Sequence, residues 1–442
     1  MIIAKKAFGL ALLLSLAGCG SSTTLSGSTT NSATDCGVAG QNAQIISVMR
    51  SWYYWYATLP VTIDPTRYAS ADALLNALRQ QPLDRFSFIT TKSADQAFYG
   101  AGQYVGFGLG FNLSGANELQ VTQVFPGSPA DQAGLVRGDT ITELNGTSVP
   151  ALFASNQLGS VLSVSGPGVT VTFTYRDRES KSHTVPLTSA VVTQPSVSQA
   201  TVLQVARKKV GYFLFDSFID TSNAELDAAF SRFSSEGVTE LVIDERYNGG
   251  GEVSVAQHLA SLIAGNSYSG KTLATLTFND KHSSQDETIA FQTVLNPLNL
   301  TRVFFVTSDS TASASEFIIN TLKPYMDVVT VGRATFGKPV GENGFDVCSN
   351  VLYPITFKIA NVSGYGDYFD GLPATCAAGD DVTHPLGDPG EASLATALSY
   401  VRTGGCGSAA GARGAVQGFA DAESHRARTT AQFGWRQLVN AY

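Results

Sequence analysis

The stretch from Val210 to Leu322 constrains the fold more than any other, because it repeats one unit: a short apolar run, a turn of small residues, then a helical pattern. Gly211-Tyr212-Phe213-Leu214-Phe215 precedes a helical segment from Asn223 to Glu236, and Glu240-Leu241-Val242-Ile243-Asp244 precedes another from Val253 to Ile263. Apolar runs too short to be helices, alternating with amphipathic helices, predict parallel strands joined by crossovers, an α/β core. The joints between strand and helix are where such a core can hold a ligand. The first joint, Glu245-Arg246-Tyr247-Asn248-Gly249-Gly250-Gly251-Glu252, is rich in glycine, which lets backbone N–H groups approach a bound group closely. No Gly-Lys-Ser/Thr follows it, so it is not a phosphate-binding loop.

The second joint is Thr311-Ala312-Ser313-Ala314-Ser315-Glu316, set between the run Val303 to Val306 and the helical Glu316 to Leu322. It presents the Ser313 hydroxyl at a strand end, with the N–H groups of the helix start directed at any developing negative charge. A serine hydroxyl is a weak nucleophile and needs a base beside it. Phe336-Gly337-Lys338-Pro339 supplies a lysine 25 positions after Ser313. The segment before it, Val328 to Gly337, is apolar enough to set Lys338 against a dry wall, where desolvation disfavours the ammonium form.

These segments resemble the C-terminal processing peptidases, also called tail-specific proteases, a family of Ser-Lys serine endopeptidases. In that family the nucleophile is the middle serine of a Ser-Ala-Ser-Ala-Ser-Glu-like run, and the base is the lysine of Phe-Gly-Lys-Gly at the spacing found here. The resemblance implies Ser313 as nucleophile and Lys338 as base. It also implies an oxyanion hole from the backbone of Gly250 or Gly251 with Ala314, and a crotonase/ClpP-like α/β protease core that needs no cofactor. The family often places a glutamine four residues after the lysine, whereas this chain has Glu342. A carboxylate there would orient Lys338 through a charge-assisted hydrogen bond, yet it would also favour the ammonium. A Ser-His arrangement using His384 with Asp380 or Asp381 is the alternative; the neighbouring Thr383 and Pro385 read as a surface loop. An inactive peptide-binding lipoprotein is the rival reading of the whole chain.

Upstream, Val105-Gly106-Phe107-Gly108-Leu109-Gly110-Phe111, Ser128 to Ala133, Gly138-Asp139 and Asn145-Gly146 are similar to a PDZ domain. Such a domain captures an extended C-terminus by strand addition. The resemblance implies a carboxylate loop at Tyr104, Val105, Gly106, Phe107 and Gly108, and protein or peptide substrates with free C-termini as partners. Before it, Ile45 to Tyr56 and Ser70 to Arg79 carry helical periodicity, and Asp84-Arg85-Phe86-Ser87-Phe88 reads as a turn.

The basic start Lys5-Lys6, the apolar run Ala7 to Leu16 and Ala17-Gly18-Cys19 form an export signal too short to span a bilayer as a lasting helix. Leu16-Ala17-Gly18-Cys19 resembles a bacterial lipobox, which implies lipidation of Cys19 and a place in the bacterial cell envelope, periplasm-facing or at the surface. The expected organisation is a signal peptide at 1–18, a flexible tether at 19–35 and a helical N-terminal domain at 36–100. A PDZ domain follows at 101–190, then an α/β protease core at 191–403 and a mobile tail at 404–442. A net charge of −8 argues against nucleic acid as a partner. The scattered histidines and the lack of Cys-x2-Cys argue against a metal site. Cys36, Cys348, Cys376 and Cys406 allow two disulfides in an exported chain. A return of the chain between Cys348 and Cys376 predicts that these two pair, leaving Cys36 with Cys406. Oligomeric state is not written in the chain.

Overall fold

The computed structural model describes residues 35–113 and 118–407. The expected signal peptide, Cys19, nearly all of the tether and the tail beyond 407 lie outside the described residues. At the centre is a six-stranded sheet in the order Val197–Val205, Lys208–Phe215, Glu240–Asp244, Arg302–Thr307, Asp327–Gly332 and Cys376–Ala377. All neighbours run parallel except the first pair. Successive residues of a strand face opposite sides, and here both sides are covered. Leu241 and Ile243 pack with the helices Ser222–Glu236, Val253–Ala264 and Ala314–Leu322, while Val242, Phe304, Val306 and Val331 pack with the helix Ala392–Thr403. Strands Glu240–Asp244 and Arg302–Thr307 are adjacent and parallel at the centre of the sheet, so the glycine turn and the serine turn emerge side by side at the carboxyl ends of the strands.

The N-terminal helices Val38–Trp52 and Ala71–Leu78 bury Ile45, Met49, Leu74 and Leu78, together with Tyr53 and Phe86, against Phe336, Val340 and Ile355 of the core. This region is not helical throughout. Phe88–Thr91 forms a strand antiparallel to Asn350–Tyr353, where Phe88 stacks on Tyr353 at 4.8 Å. Pro354, which has no N–H to donate, separates the strands Asn350–Tyr353 and Ile355–Asn361, which lie in different sheets. The last helix begins at Ala392, where the Glu391 side chain caps it by accepting from Leu394 N at 2.9 Å.

The disulfides correct the expected pairing. They join Cys36 to Cys348 and Cys376 to Cys406, with Cα separations of 5.9 and 5.4 Å. Cys348 sits in the turn between strands Phe345–Val347 and Asn350–Tyr353, against the start of the first helix. Cys376 instead belongs to the edge strand of the large sheet, where the end of the last helix delivers Cys406. The two sites lie on different sheets, so the loop between Cys348 and Cys376 does not close on itself.

Strands Leu109–Leu113, Leu119–Val124, Thr140–Leu144, Thr170–Arg176 and Ser182–Thr188 form a sheet with its own core, completed by the helices Val149–Ala154 and Leu158–Leu162. Tyr104, Val105 and Gly106 are not loop: Gln103–Gly106 pairs with Ala190–Thr193, and only Phe107 and Gly108 make the turn. Gly108 has φ +81, and a Cβ there would lie 2.0 Å from Ser128 Cβ.

This small domain meets the core through polar contacts. Arg137 donates to Asp380 Oδ1 at 2.6 Å and to His384 O at 3.0 Å, and Gln123 Nε2 donates to Asp216 Oδ1 at 2.6 Å. Burial pushes the Asp216 carboxyl up to about 7; the Gln123 bond opposes this, and the charges of Asp244 and Glu225 add to it. The folded protein therefore keeps a proton that the unfolded chain releases near pH ~3.9, and stability falls as pH rises from that value to about 7. Asp216→Asn cannot ionise and keeps an oxygen for Gln123. Its melting temperature is expected to exceed the wild-type value by a margin that grows between pH 4 and pH 8, and a margin independent of pH would refute this.

Candidate active site

The serine turn is laced to the glycine turn. Ala312 N and Ser315 Oγ both donate to Asn248 O, at 3.1 and 3.2 Å, and Thr311 Oγ1 donates to Glu245 O at 2.8 Å. Ser313 is buried and holds φ 60 and ψ −114, a backbone state that costs a side-chain-bearing residue roughly 1–3 kcal/mol. The structure over-determines it: Ser313 N donates to Glu316 Oε2 at 3.0 Å, and Ser313 O accepts from Phe317 N at 2.8 Å. A Cβ on Gly250 would fall 2.6 Å from Ser313 Cβ and 2.9 Å from Ala314 N, so only glycine lets the two turns close. The Gly250 amide donates to Asn248 Oδ1 at 2.9 Å, while Gly251 lies beside Phe218. Ser313, Ala314 and Gly250 are thus brought together, while Gly251, next in the chain, packs on Phe218.

Lys338 is buried, with its Nζ 5.7 Å from the Phe86 ring centroid and 2.6 Å from Glu342 Oε1. Glu342 is itself wholly buried, on the short strand Val340–Glu342. The structure therefore places the carboxylate as an ion-pair partner of the lysine.

One residue that sequence reasoning left without a role joins the two halves. Glu316 is fully buried, and its Oε2 accepts from both Ser313 N and Lys338 N, at 3.0 and 2.7 Å. Oε1 accepts from Gly337 N at 2.7 Å and from the Thr335 hydroxyl. Two donors on one oxygen keep the nucleophile's and the lysine's backbone nitrogens no further apart than those two bonds laid end to end. Burial pushes the Glu316 carboxyl up from its ordinary range, against the pull of the four donors. The available signal was Ser313-x-x-Glu316, the pattern of a helix capping box.

The other candidates lie elsewhere in the fold. His384 Nδ1 is 2.7 Å from Asp381 Oδ2 in a turn facing the small domain, and Asp380 is taken by Arg137, Arg246 and Tyr247. Tyr104, Gly106, Phe107 and Gly108 line an apolar pocket with Leu109, Phe111, Leu162 and Phe173. Val105 is on the same strand as Tyr104 but is not among the lining residues.

Three segments of the chain match known families. Residues 209–363 match peptidase family S41, residues 40–88 match the peptidase S41 N-terminal domain, and residues 120–173 match a PDZ domain. Curated relatives include a protein of Staphylococcus aureus assigned as a CtpA-like serine protease, 26% identical over 63% of this chain and 52% of its own length. A similar assignment from Staphylococcus saprophyticus is 24% identical over 62% of this chain and 52% of its own length. The chain spans about half the length of these relatives. A Bacteroides fragilis structure assigned to the S41 proteases superimposes with a TM-score of 0.66 at 26% identity, covering 81% of this chain and 96% of that one. The photosystem II D1 C-terminal processing protease shares the fold, with a TM-score of 0.50 at 22% identity over 76% of this chain and 92% of its own.

Glu316→Gln tests the link between the two turns. An amide presents an NH2 group where two backbone donors need an acceptor, and an unsatisfied buried donor costs about 1–3 kcal/mol. The variant is expected to unfold at lower denaturant by an amount of that order. An unchanged midpoint would show that Glu316 does not hold the turns together.

Proposed function

We propose that this chain, which carries the peptidase family S41 domain, its N-terminal domain and a PDZ domain, is a serine endopeptidase. The observation that carries the reading is the single Glu316 oxygen shared by the backbones of Ser313 and Lys338. Ser313 Oγ attacks the carbonyl carbon of the scissile bond, and its proton passes to the neutral Lys338 amine. The N–H groups of Ala314 and of the glycine turn receive the oxyanion; Gly251 offers an amide there that Asn248 does not take, unlike Gly250. Lys338 then returns the proton to the leaving amine as the carbon–nitrogen bond breaks, and water releases the acyl group by the same route.

Glu342 is where this chain departs from the resembled pattern. The lysine must be neutral to act as a base, and Glu342 Oε1 lies 2.6 Å from its Nζ. The same ion pair favours the rival reading, a peptide-binding protein whose centre is silent.

The apolar pocket beside Gly106 and Gly108 supports selection of substrates through their free C-termini, by strand addition along Leu109–Leu113. Ser313→Ala and Lys338→Ala should each lower cleavage of a disordered polypeptide by about 10³-fold or more without unfolding the protein. A substrate with a free apolar C-terminus should be cut faster than its amidated form. Cleavage that survives in both variants sinks the Ser-Lys assignment, and no Ser313-dependent cleavage by the wild type favours the silent binder.

The cell-envelope location and the lipid anchor rest on Leu16-Ala17-Gly18-Cys19. The mature N-terminus is expected to be a lipid-modified Cys19, read by mass spectrometry, with Cys19→Ser left unprocessed or released from the membrane. An unmodified terminus cut elsewhere would remove the anchor.

A further inference from the structure

Besides its apolar packing on Phe336, the N-terminal domain binds the backbone of the lysine turn through Arg85. Arg85 Nη2 donates to three backbone carbonyls, Phe336 O and Gly337 O at 3.1 Å and Phe369 O at 3.0 Å. Its guanidinium lies 4.7 and 4.9 Å from the ring centroids of Phe86 and Phe336. The turn that carries it is fixed from below. Asp84, fully buried, accepts from Phe86 N at 3.1 Å, Ser87 N at 2.9 Å, Ser87 Oγ at 2.7 Å and the Tyr53 hydroxyl at 2.7 Å. Ser87 Oγ in turn accepts from Ile355 N at 3.0 Å.

The two carbonyls just before Lys338 belong to the same peptide groups whose N–H ends Glu316 holds. In the Phe336–Gly337 peptide the oxygen faces Arg85 and the nitrogen donates to Glu316 Oε1; in the Gly337–Lys338 peptide the oxygen faces Arg85 and the nitrogen donates to Glu316 Oε2. A trans peptide points its C=O and N–H in opposite directions, with a dipole of about 3.5 D between them. A cation at the oxygen edge and a carboxylate at the nitrogen edge therefore hold two consecutive peptide planes against rotation. Gly337, at φ +90 and with Phe369 O 2.3 Å from where its Cβ would be, has no side chain to do so.

We propose that Arg85 is a positioning residue of the catalytic centre, through which the N-terminal domain sets the orientation of Lys338. The proposal rests on the peptidase reading for its kinetic consequence but not for its structural one. A lysine displaced by about an ångström from its working geometry can cost on the order of 10²-fold in rate.

The test uses the full chain with Arg85→Ala and, to preserve bulk, Arg85→Gln. Three readouts are taken: kcat and KM on a peptide that wild type cleaves in a Ser313-dependent way, the thermal midpoint, and hydrogen exchange at the amides of Gly337 and Lys338. Expected are a fall in kcat of about 10- to 100-fold with KM changed less than about two-fold, faster exchange at both amides, and partial recovery of kcat in Arg85→Ala when methylguanidinium is added. Unchanged kcat, or a loss that tracks the unfolded fraction with no guanidinium recovery and no change in local exchange, overturns the proposal. Should wild type cleave nothing, the peptidase reading fails by itself and exchange decides alone: faster exchange at Gly337 and Lys338 upholds the clamp, and unchanged exchange removes it.

Discussion

A buried carboxylate is costly unless every lone pair is met, and Glu316 meets that condition only when four donors from two separate segments converge on it. That requirement governs the rest of the centre. The start of the helix Ala314–Leu322 and the Thr335-to-Lys338 turn are held by the same carboxylate, Glu316. The strained backbone of Ser313 persists because the same carboxylate holds its amide. Local strain at the nucleophile is thus offset by a network of charge-assisted hydrogen bonds that is itself non-local.

Residues whose role follows from their immediate neighbours were legible in the sequence. The short apolar runs gave the parallel strands, the small residues around Ser313 gave the strand-to-helix turn, and the glycines after Asn248 gave the close approach to that turn. What could not be read was set by partners far away in the chain. Arg246 looked like one charge among several, yet it is buried and bonded to both oxygens of Asp244 and both of Glu391. The strand Phe88–Thr91 has only four residues and exists because Asn350–Tyr353 lies beside it. The cysteine partners depended on which sheet each segment joins, a fact that periodicity does not carry.

The junction between the small domain and the core is likewise electrostatic rather than apolar. Arg137 and Arg246 share Asp380, so the strand end that leads into the glycine turn and the loop that carries Arg137 are tied to one carboxylate. Both arginines hold the Asp380 carboxyl below its usual range, in spite of burial. Contacts of this kind fix direction and register more than they add to stability, because most of the Coulombic gain repays desolvation.

The order in which a polymer is made gives the scattered site another meaning. Arg85 is synthesised early, the glycine turn midway, Ser313 later and Lys338 later still, while the Cys36–Cys348 bridge spans a sequence separation of 312 and waits for a residue beyond the lysine. No growing chain that stops short of Lys338 contains its proposed base, however well its first strands have formed. The proposed base and nucleophile would then meet late, once the segment that carries Lys338 has docked beside the serine turn.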